Sequence, residues 1–354
     1  MIKIAAIQLE PVIGDVAENL RRCRALGDEA GAAGADWIVL PEFFTTGMAF
    51  TDALADASLP LEGAGTQLLR ELAERHGAVV GGSFICHDED GDNRNAWLLL
   101  GPDGRILGRH DKDMPTMWEN CFYIGGSDDG VLDVDRMPVG AAMCWELMRT
   151  ATVRRLRGRV DLVVAGSAWW SIPSFLPAAL RGRLEAANAR TATSVAPALA
   201  RAVGAPVAHA AHCGEVRCDM PLVPGLAYHG HYEGGTCIVD ARGGLLAWRA
   251  AGEGPGVVVA DVQPERATPT LEPGPGFWLH SRGAVPAAAW AYQRAHGRRW
   301  YRRHAVGRAA EPRSLQELAG GPAQPNPRPD HDRPRSPEGE LVGRERGREA
   351  RAAG

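Results

Sequence analysis

The stretch Gly140-Ala-Ala-Met-Cys144-Trp145-Glu146-Leu-Met-Arg149 decides the fold. Its first half ends a small, apolar run over residues 137–143, which predicts a buried strand that stops at Cys144. Residues 146–158 then predict a helix with apolar positions among arginines. A cysteine at such a corner lies where the first N–H groups of the helix point, which favours a thiolate and can hold an oxyanion. Because free cysteines are also common core residues, the role of Cys144 depends on residues elsewhere in the chain.

Composition excludes several classes of protein. The 354 residues carry a net charge of −4, which gives no indication of a nucleic-acid or membrane surface, and no apolar run approaches the length of a membrane span. The first ten residues do not form a signal-peptide pattern. Seven cysteines, an odd number without a C-x-x-C pair, predict a reduced cytoplasmic protein rather than a disulfide framework.

Strand–helix–strand units and hairpins alternate over the first 265 residues. Predicted strands cover residues 2–9, 37–40, 78–86, 95–100, 106–110, 137–143, 160–165, 206–212, 235–240, 245–248 and 256–262. Further helices are predicted from residue 16 up to a glycine stop at 31–34, and over residues 65–76 and 176–202; Pro197 should kink or end the last of them. An irregular loop is expected before residue 130. This mixture predicts an α/β protein with a mixed sheet covered by helices.

The composition changes after residue 268. A Pro/Gly linker over 273–277 precedes a basic segment, residues 285–304, which predicts a helix. This helix should pack across a dimer interface or over the mouth of the site. From about residue 309 the chain is almost free of apolar residues and cannot form a core. We therefore predict a domain over 1–268, an extension over 269–308 and a disordered tail over 309–354.

Three reactive side chains follow three predicted strands. Glu42, Lys112 and Cys144 each lie at or just after a carboxyl end, where open sheets assemble their sites. A carboxylate can act as the base for a thiol nucleophile, and an ammonium both lowers a thiol pKa and stabilises an oxyanion. Taken singly, Glu42 is also compatible with a loop carboxylate and Lys112 with a solvated charge.

The order of these blocks resembles the nitrilase superfamily of carbon–nitrogen hydrolases over residues 1–265. Leu40-Pro41-Glu42 is similar to the block with the general-base glutamate, residues 110–119 are similar to the lysine block, and Cys144 occupies the place of the nucleophile. Residues 235–261 resemble the closing strands. The family's first strand and helix are matched by Gln8, Pro11, Gly14, Asp15 and Asn19.

The resemblance implies a four-layer α-β-β-α sandwich that pairs into homodimers or higher homo-oligomers. It implies hydrolysis of a carbon–nitrogen bond through a thioester or thioimidate on Cys144, with proton transfer by Glu42 and release of ammonia. Lys112 and the backbone N–H of Trp145 would hold the oxyanion, and Glu119 would position the lysine and the substrate. No metal, cofactor, nucleic acid or membrane partner is implied.

The resemblance implies that the substrate is a small nitrile or amide. The patterns K-x-x-P-T-x-x-E at Lys112 and C-W-E at Cys144 resemble the nitrilase branch, but residues 147–150 depart from it, so an amide or carbamoyl substrate stays open. The pocket should be apolar and aromatic. Its candidate lining residues are Phe43, Trp118, Trp145, Trp169 and Trp170.

Two alternatives stay open. In acyl transfer, an amine rather than water would take the acyl group from the same thioester. In a scaffold without catalysis, the basic segment would dock a partner. A metal site is disfavoured, because His209 and His212 should point to opposite faces of a strand. His229 and His231 are expected in a Gly-rich loop that lines the cleft.

Overall fold

The computed structural model describes residues 1–174, 177–220, 226–279 and 284–306. The strands in these ranges are β1 (Ile2–Leu9), β2 (Trp37–Val39), β3 (Leu59–Pro60), β4 (Val79–His87), β5 (Asn93–Leu100), β6 (Ile106–Asp111), β7 (Val131–Val134), β8 (Met137–Met143), β9 (Leu162–Ser167), β10 (Val207–His212), β11 (Glu215–Asp219), β12 (Ala227–His231), β13 (Gly234–Val239), β14 (Leu245–Ala250) and β15 (Gly256–Val262). The helices are α1 (Val16–Ala32), α2 (Asp52–Ala55), α3 (Ala64–His76), α4 (Thr150–Leu156), α5 (Ala178–Val203) and α6 (Ala284–His304). Short 3₁₀ turns cover Met117–Cys121, Cys144–Met148 and Ala251–Glu253.

Most strands belong to one continuous hydrogen-bonded network of 13 strands, which divides into two sheets where β1 pairs with β10. One sheet runs β6-β5-β4-β2-β1, with β15 antiparallel to β1. The other runs β7-β8-β9-β10, and β13 and β14 extend it from β10. Strands β1 and β10 pair only at their carboxyl ends, Gln8 with Ala211 and Leu9 with His212. Parallel neighbours in each sheet therefore direct their carboxyl ends to the same region.

Alternation along the strands builds the layers of the sandwich. On β1, Ile4 and Ala6 pack in the core between the sheets, whereas Ala5 and Ile7 pack in the core beneath helices α1 and α3. A third core joins the other face of β8 and β9 to helices α4 and α5. The predicted α-β-β-α sandwich is confirmed.

The corner after β8 differs from the sequence prediction. No continuous helix covers 146–158; instead, a 3₁₀ turn spans Cys144–Met148, Arg149 is extended, and α4 begins at Thr150. The carboxylate of Glu146 accepts a hydrogen bond from the backbone N–H of Met143 and closes the turn locally. The prediction that Cys144 lies at an α-helix N-terminus is therefore wrong.

Three further elements depart from the predictions. Pro197 does not end α5, because the residues around it are buried against the sheet and packing offsets the lost hydrogen bond. Strand β7 and the hairpin β11–β12 were not predicted, since they are short and carry polar residues. His229 and His231 lie on strand β12 rather than in a loop.

Helix α6 lies where the sequence predicts the basic helix. It packs on the 3₁₀ turn Met117–Cys121: Trp290 Nε1 lies 3.4 Å from the carbonyl oxygen of Pro115, and Trp300 packs edge-on against Phe122. The division at residue 268 stays a prediction, and the predicted tail lies outside the described residues. None of the described helices has the length and hydropathy needed to cross a membrane.

Candidate active site

The three strand ends converge in the interior of the protein. Glu42 follows β2, Lys112 follows β6 and Cys144 follows β8, and all three side chains are buried. The Cys144 sulfur and one carboxylate oxygen each of Glu42 and Glu119 lie within 4.8 Å of one another. Lys112 Nζ is 2.8 Å from Glu42 Oε1 and 2.7 Å from Glu119 Oε2. The four residues therefore form one buried group with two carboxylates, one ammonium and one thiol.

Glu42 is fixed by contacts from several strands. Its Oε1 also accepts from Asn95 Nδ2 at 2.9 Å, and its Oε2 accepts from the backbone N–H of Ala168 at 3.1 Å. The backbone carbonyl of Glu42 accepts from His212 Nε2 at 2.6 Å. A Cβ at Gly166 would lie 2.5 Å from the Glu42 nitrogen, so glycine is required for this close approach. The carboxylate is thus held without rotational freedom.

Glu119 is held by the 3₁₀ turn that carries it. Its Oε2 accepts from the backbone N–H of Thr116 at 2.8 Å, from the hydroxyl of Tyr123 and from Lys112. The other oxygen, Oε1, is buried and has no hydrogen-bond partner among the described residues. A buried acceptor without a donor costs about 1–3 kcal/mol, so this oxygen is a strong candidate contact for a ligand.

The charges are arranged so that Glu42 can exchange a proton near neutral pH. Burial raises the pKa of Glu42; Lys112 opposes this shift, Glu119 reinforces it, and the resulting pKa is about 7. Burial also disfavours the charged lysine. The carboxylates of Glu119 and Glu42 outweigh that effect and hold the pKa of Lys112 well above its usual value. The ammonium therefore stays charged while the carboxylate can accept and return a proton.

The backbone is left-handed at two positions in this group. Cys144 has φ of 49° and Phe43, directly after Glu42, has φ of 54°. Such values are uncommon for residues other than glycine and cost free energy that the surrounding packing must offset. Both residues are buried, so packing fixes these conformations. Cys144 and the residue after Glu42 thus lie on sharply turned, buried backbone.

Two groups of side chains have the atom types of a metal site. Between Glu42, Glu119 and Cys144, the ammonium of Lys112 already contacts both carboxylates and occupies the place of a cation. The second group is Glu185, His231 and Glu233, whose ligand atoms lie within 4.8 Å of one another. His209 and His212 do not share a ligand position: His209 contacts Ser167 and a backbone carbonyl of β13, whereas His212 contacts Leu9 and Glu42.

The predicted pocket residues divide into two sets. Phe43, Trp118 and Trp170 belong to one buried aromatic cluster, in which the rings of Trp118 and Trp170 stack with centroids 4.4 Å apart. The Phe43 ring lies 5.9 Å from Lys112 Nζ. The other two belong to the layer of α4 and α5: Trp145 packs against Trp278 and Trp290, and the Trp169 indole donates to Asn188.

Several positioning residues are absent from the sequence predictions. Asn95 and His212 hold the Glu42 carboxylate and backbone, and Tyr123 holds Glu119. Asn95 and His212 are polar residues in strands that are otherwise largely apolar, and this contrast is the sequence feature that could have identified them. Burial lowers the pKa of His212 to about 4, so its ring is a neutral hydrogen-bond donor at neutral pH. Tyr123 offered no signal, because it lies in an irregular segment.

Comparison with known proteins adds independent findings. A family model described as carbon-nitrogen hydrolase matches residues 3–271. An aliphatic nitrilase from Rhodococcus rhodochrous is 30% identical over 167 residues, which cover 42% of this chain and 45% of that protein. An omega-amidase from Yersinia enterocolitica is 30% identical over 255 residues, which cover 71% of this chain and 86% of that protein.

The solved structures agree on the fold. The structure of an amidase mutant from Nesterenkonia sp. AN1, with acrylamide added to its active-site cysteine, matches with a TM-score of 0.56 and 20% identity. The match covers 75% of this chain and 95% of that chain. The first curated relatives are matched over 45–66% of their own lengths.

Proposed function

Because this chain belongs to the carbon–nitrogen hydrolase family, whose model matches residues 3–271, we propose that it hydrolyses a small primary amide through a thioester on Cys144. Carboxylic acid and ammonia are the products. The observation that carries this proposal is the buried group of Cys144, Glu42, Lys112 and Glu119, with a thiol and two carboxylates within 4.8 Å. Each member of the group has a chemical role in such a reaction.

The first half of the reaction forms the thioester. The Cys144 sulfur attacks the carbonyl carbon while its proton passes to Glu42, whose raised pKa suits a base at neutral pH. The carbonyl oxygen becomes an oxyanion, and the charged Lys112 stabilises it in a site from which water is largely excluded. Glu42 then returns the proton to the amide nitrogen, the carbon–nitrogen bond breaks, and ammonia leaves.

The second half removes the acyl group. Water attacks the thioester carbon and gives one proton to Glu42, which is again a carboxylate after ammonia has left. Lys112 stabilises the second oxyanion. When the carbon–sulfur bond breaks, the sulfur takes the proton back from Glu42, and the acid is released. The protein thus ends with a thiol and a carboxylate, as it began, and no external oxidant or reductant is needed.

An amide is proposed over a nitrile because of Glu119 Oε1. This buried oxygen has no donor among the described residues, and one oxygen of the same carboxylate lies within 4.8 Å of the Cys144 sulfur. The NH₂ group of a primary amide can donate a hydrogen bond to it, whereas a nitrile nitrogen carries no hydrogen. Binding of an amide would therefore satisfy an acceptor that a nitrile leaves unsatisfied.

The test is ammonia release from matched pairs of small primary amides and nitriles, with Cys144→Ala as the control. We expect release from amides, with kcat/KM for each matching nitrile lower by about tenfold or more, as the loss of one buried hydrogen bond predicts. Preferential release from nitriles would contradict the choice of amide. Turnover only after an amine acceptor is added would instead identify acyl transfer.

We also propose that the chain forms a homodimer or a higher homo-oligomer and resides in the cytoplasm. Support for the assembly comes from the family resemblance, and support for the compartment comes from the odd number of cysteines, seven, none of which forms a disulfide in the described residues. Light scattering after gel filtration should give at least twice the 37.8 kDa of one chain. A monomer at micromolar concentration would contradict the proposed assembly.

A further inference from the structure

A third buried carboxylate, that of Glu146, contacts the backbone beside both Lys112 and Cys144. Glu146 lies two residues after the nucleophile, and only 1% of it is exposed. Its Oε2 accepts from the backbone N–H of Met143 at 2.9 Å, one residue before Cys144. Its Oε1 accepts from the backbone N–H of Asp113 at 3.1 Å, one residue after Lys112. One side chain therefore links the segments that carry the thiol and the ammonium.

Cationic side chains keep this carboxylate in place. His110 Nε2 lies 3.0 Å from Glu146 Oε2, and the other ring nitrogen of His110 contacts Asp128. Arg155, from helix α4, places Nη2 3.2 Å from Glu146 Oε1. Burial opposes these charges, but the carboxylates raise the pKa of His110 to about 10, and His110 and Arg155 lower the pKa of Glu146 well below its usual value. Glu146 is thus ionised throughout the neutral pH range.

The strands before Lys112 and Cys144 are not direct neighbours in the sheet. Among the described strands, β6 pairs only with β5, whereas β8 pairs with β7 and β9, so β6 and β8 share no backbone hydrogen bonds with each other. Cys144 also needs support, because its φ of 49° is unfavourable for a residue with a side chain. Glu146 supplies both the link and the support.

We propose that Glu146 is a positioning residue that sets the distance between Cys144 and Lys112, and that His110 acts through it. This inference rests on the proposed function, since it assigns a role in the same reaction. A displacement of about 1 Å between reacting groups can cost about 100-fold in rate. The expected defect lies in kcat, because Glu146 contacts the backbone of the reactive residues rather than the substrate.

The test is the isosteric substitution Glu146→Gln. An amide side chain keeps the shape and one acceptor, but it can no longer accept from both backbone N–H groups and from His110. We expect kcat for a primary amide to fall by about 10- to 100-fold while KM changes by less than about threefold. The rate at which iodoacetamide alkylates Cys144, measured by peptide mass spectrometry, should fall by about tenfold or more.

The alkylation rate separates this inference from the proposed function. If the wild-type protein hydrolyses no amide, the function fails, yet the effect of Glu146→Gln on alkylation still tests the positioning role. A folded Glu146→Gln protein with wild-type kcat and wild-type alkylation would overturn the inference. If Glu146→Gln does not fold, Arg155→Met is the second variant to test, because Arg155 is partly exposed and its Nη2 contacts Glu146 Oε1. Unchanged alkylation in that variant would likewise overturn it.

Two controls distinguish positioning from general destabilisation. Asp88→Asn breaks a comparable ion cluster, in which Asp88 contacts Arg109 of β6 and Arg94, but it touches neither reactive segment. This variant should lower the melting temperature and leave kcat unchanged. A double variant, Glu146→Gln with His110→Gln, should be no slower than the slower single variant, because residues that act as one unit are not additive. Additive losses in kcat would contradict the claim that His110 acts through Glu146.

Discussion

Glu42 and Glu146 are both buried carboxylates, yet their pKa values are shifted in opposite directions. Burial raises the pKa of Glu42 to about 7. The ammonium of Lys112 opposes this shift only in part, because Glu42 shares it with a second carboxylate, Glu119. Burial also disfavours ionised Glu146, but His110, Arg155 and backbone N–H groups more than offset it, and its pKa is lowered.

The comparison shows that burial alone does not decide what a carboxylate does. The balance between anions and cations around the group decides it. Two carboxylates and one cation leave a site that accepts a proton near neutral pH, which suits a base. The Glu146 carboxylate, which is bonded to His110, Arg155 and two backbone N–H groups, stays ionised and serves as a fixed anchor. The same fold therefore contains one buried carboxylate suited to proton transfer and one that stays ionised.

The largest expected effect is the loss of the base. Glu42→Gln keeps the shape of the side chain and an acceptor for Lys112, but an amide cannot accept the thiol proton. We expect kcat/KM for a primary amide to fall by about 10³-fold, within the range for general-base catalysis. Steady-state ammonia release measures it, and circular dichroism confirms folding. A loss below tenfold would show that Glu42 is not the base, and the proposed difference in function between Glu42 and Glu146 would then be wrong.

A smaller effect should appear in the pH profile. Because the proposed role of Glu42 requires its ionised form and burial raises its pKa to about 7, kcat/KM should rise with pH, level off above about pH 8, and fall about tenfold for each unit below about pH 6. Lys112 and Glu119 face this carboxylate and set its pKa. The pH at which kcat/KM reaches half of its plateau value should be the same in the Asp88→Asn variant. A flat profile from pH 5 to 8 would contradict a raised Glu42 pKa.

The smallest effect concerns the helix that covers the Glu119 turn. The hydroxyl of Tyr301, on α6, accepts from the backbone N–H of Asn93 at 2.7 Å and donates to Asp92 Oδ1 at 3.0 Å. Tyr301→Phe should lower the free energy of unfolding by about 1–3 kcal/mol and change kcat by less than about threefold. Thermal denaturation and ammonia release measure these changes.

The matched control is Tyr292→Phe on the same helix, where the side chain is 57% exposed and the stability should be unchanged. Equal stability of the Tyr301→Phe and wild-type proteins would show that the hydrogen bonds from Tyr301 to Asp92 and Asn93 do not stabilise the fold. A large loss of kcat in Tyr301→Phe would instead make α6 part of the positioning machinery, together with Glu146.

The layers and strand ends were predictable from sequence because the signals are local. Continuous apolar runs such as residues 2–9 and 137–143 follow from burial of strands on both faces. The order of Glu42, Lys112 and Cys144 then indicated three neighbouring strand ends. Glu119 was found only through the family resemblance, since a glutamate in an irregular segment has no periodic signal.

The remaining features depend on contacts between distant segments. The 3₁₀ turn at Cys144 arises because Glu146 bonds to Met143 and to Asp113 across the fold, and helix propensity gives no information on such a link. Residues such as Asn95 and His212 acquire their roles only when β5 and β10 bring them to Glu42. The placement of Trp145 and Trp169 likewise follows from the packing of α5 and the extension.

The central claim is that an acyl group passes through Cys144, and hydroxylamine partitioning tests it most directly. A primary amide and the methyl ester of the same acid are each converted in the presence of hydroxylamine, and the ratio of hydroxamate to free acid is measured. A common thioester predicts the same ratio from both substrates and no product from Cys144→Ala. A ratio that depends on the leaving group, or turnover by Cys144→Ala at the wild-type rate, would contradict it.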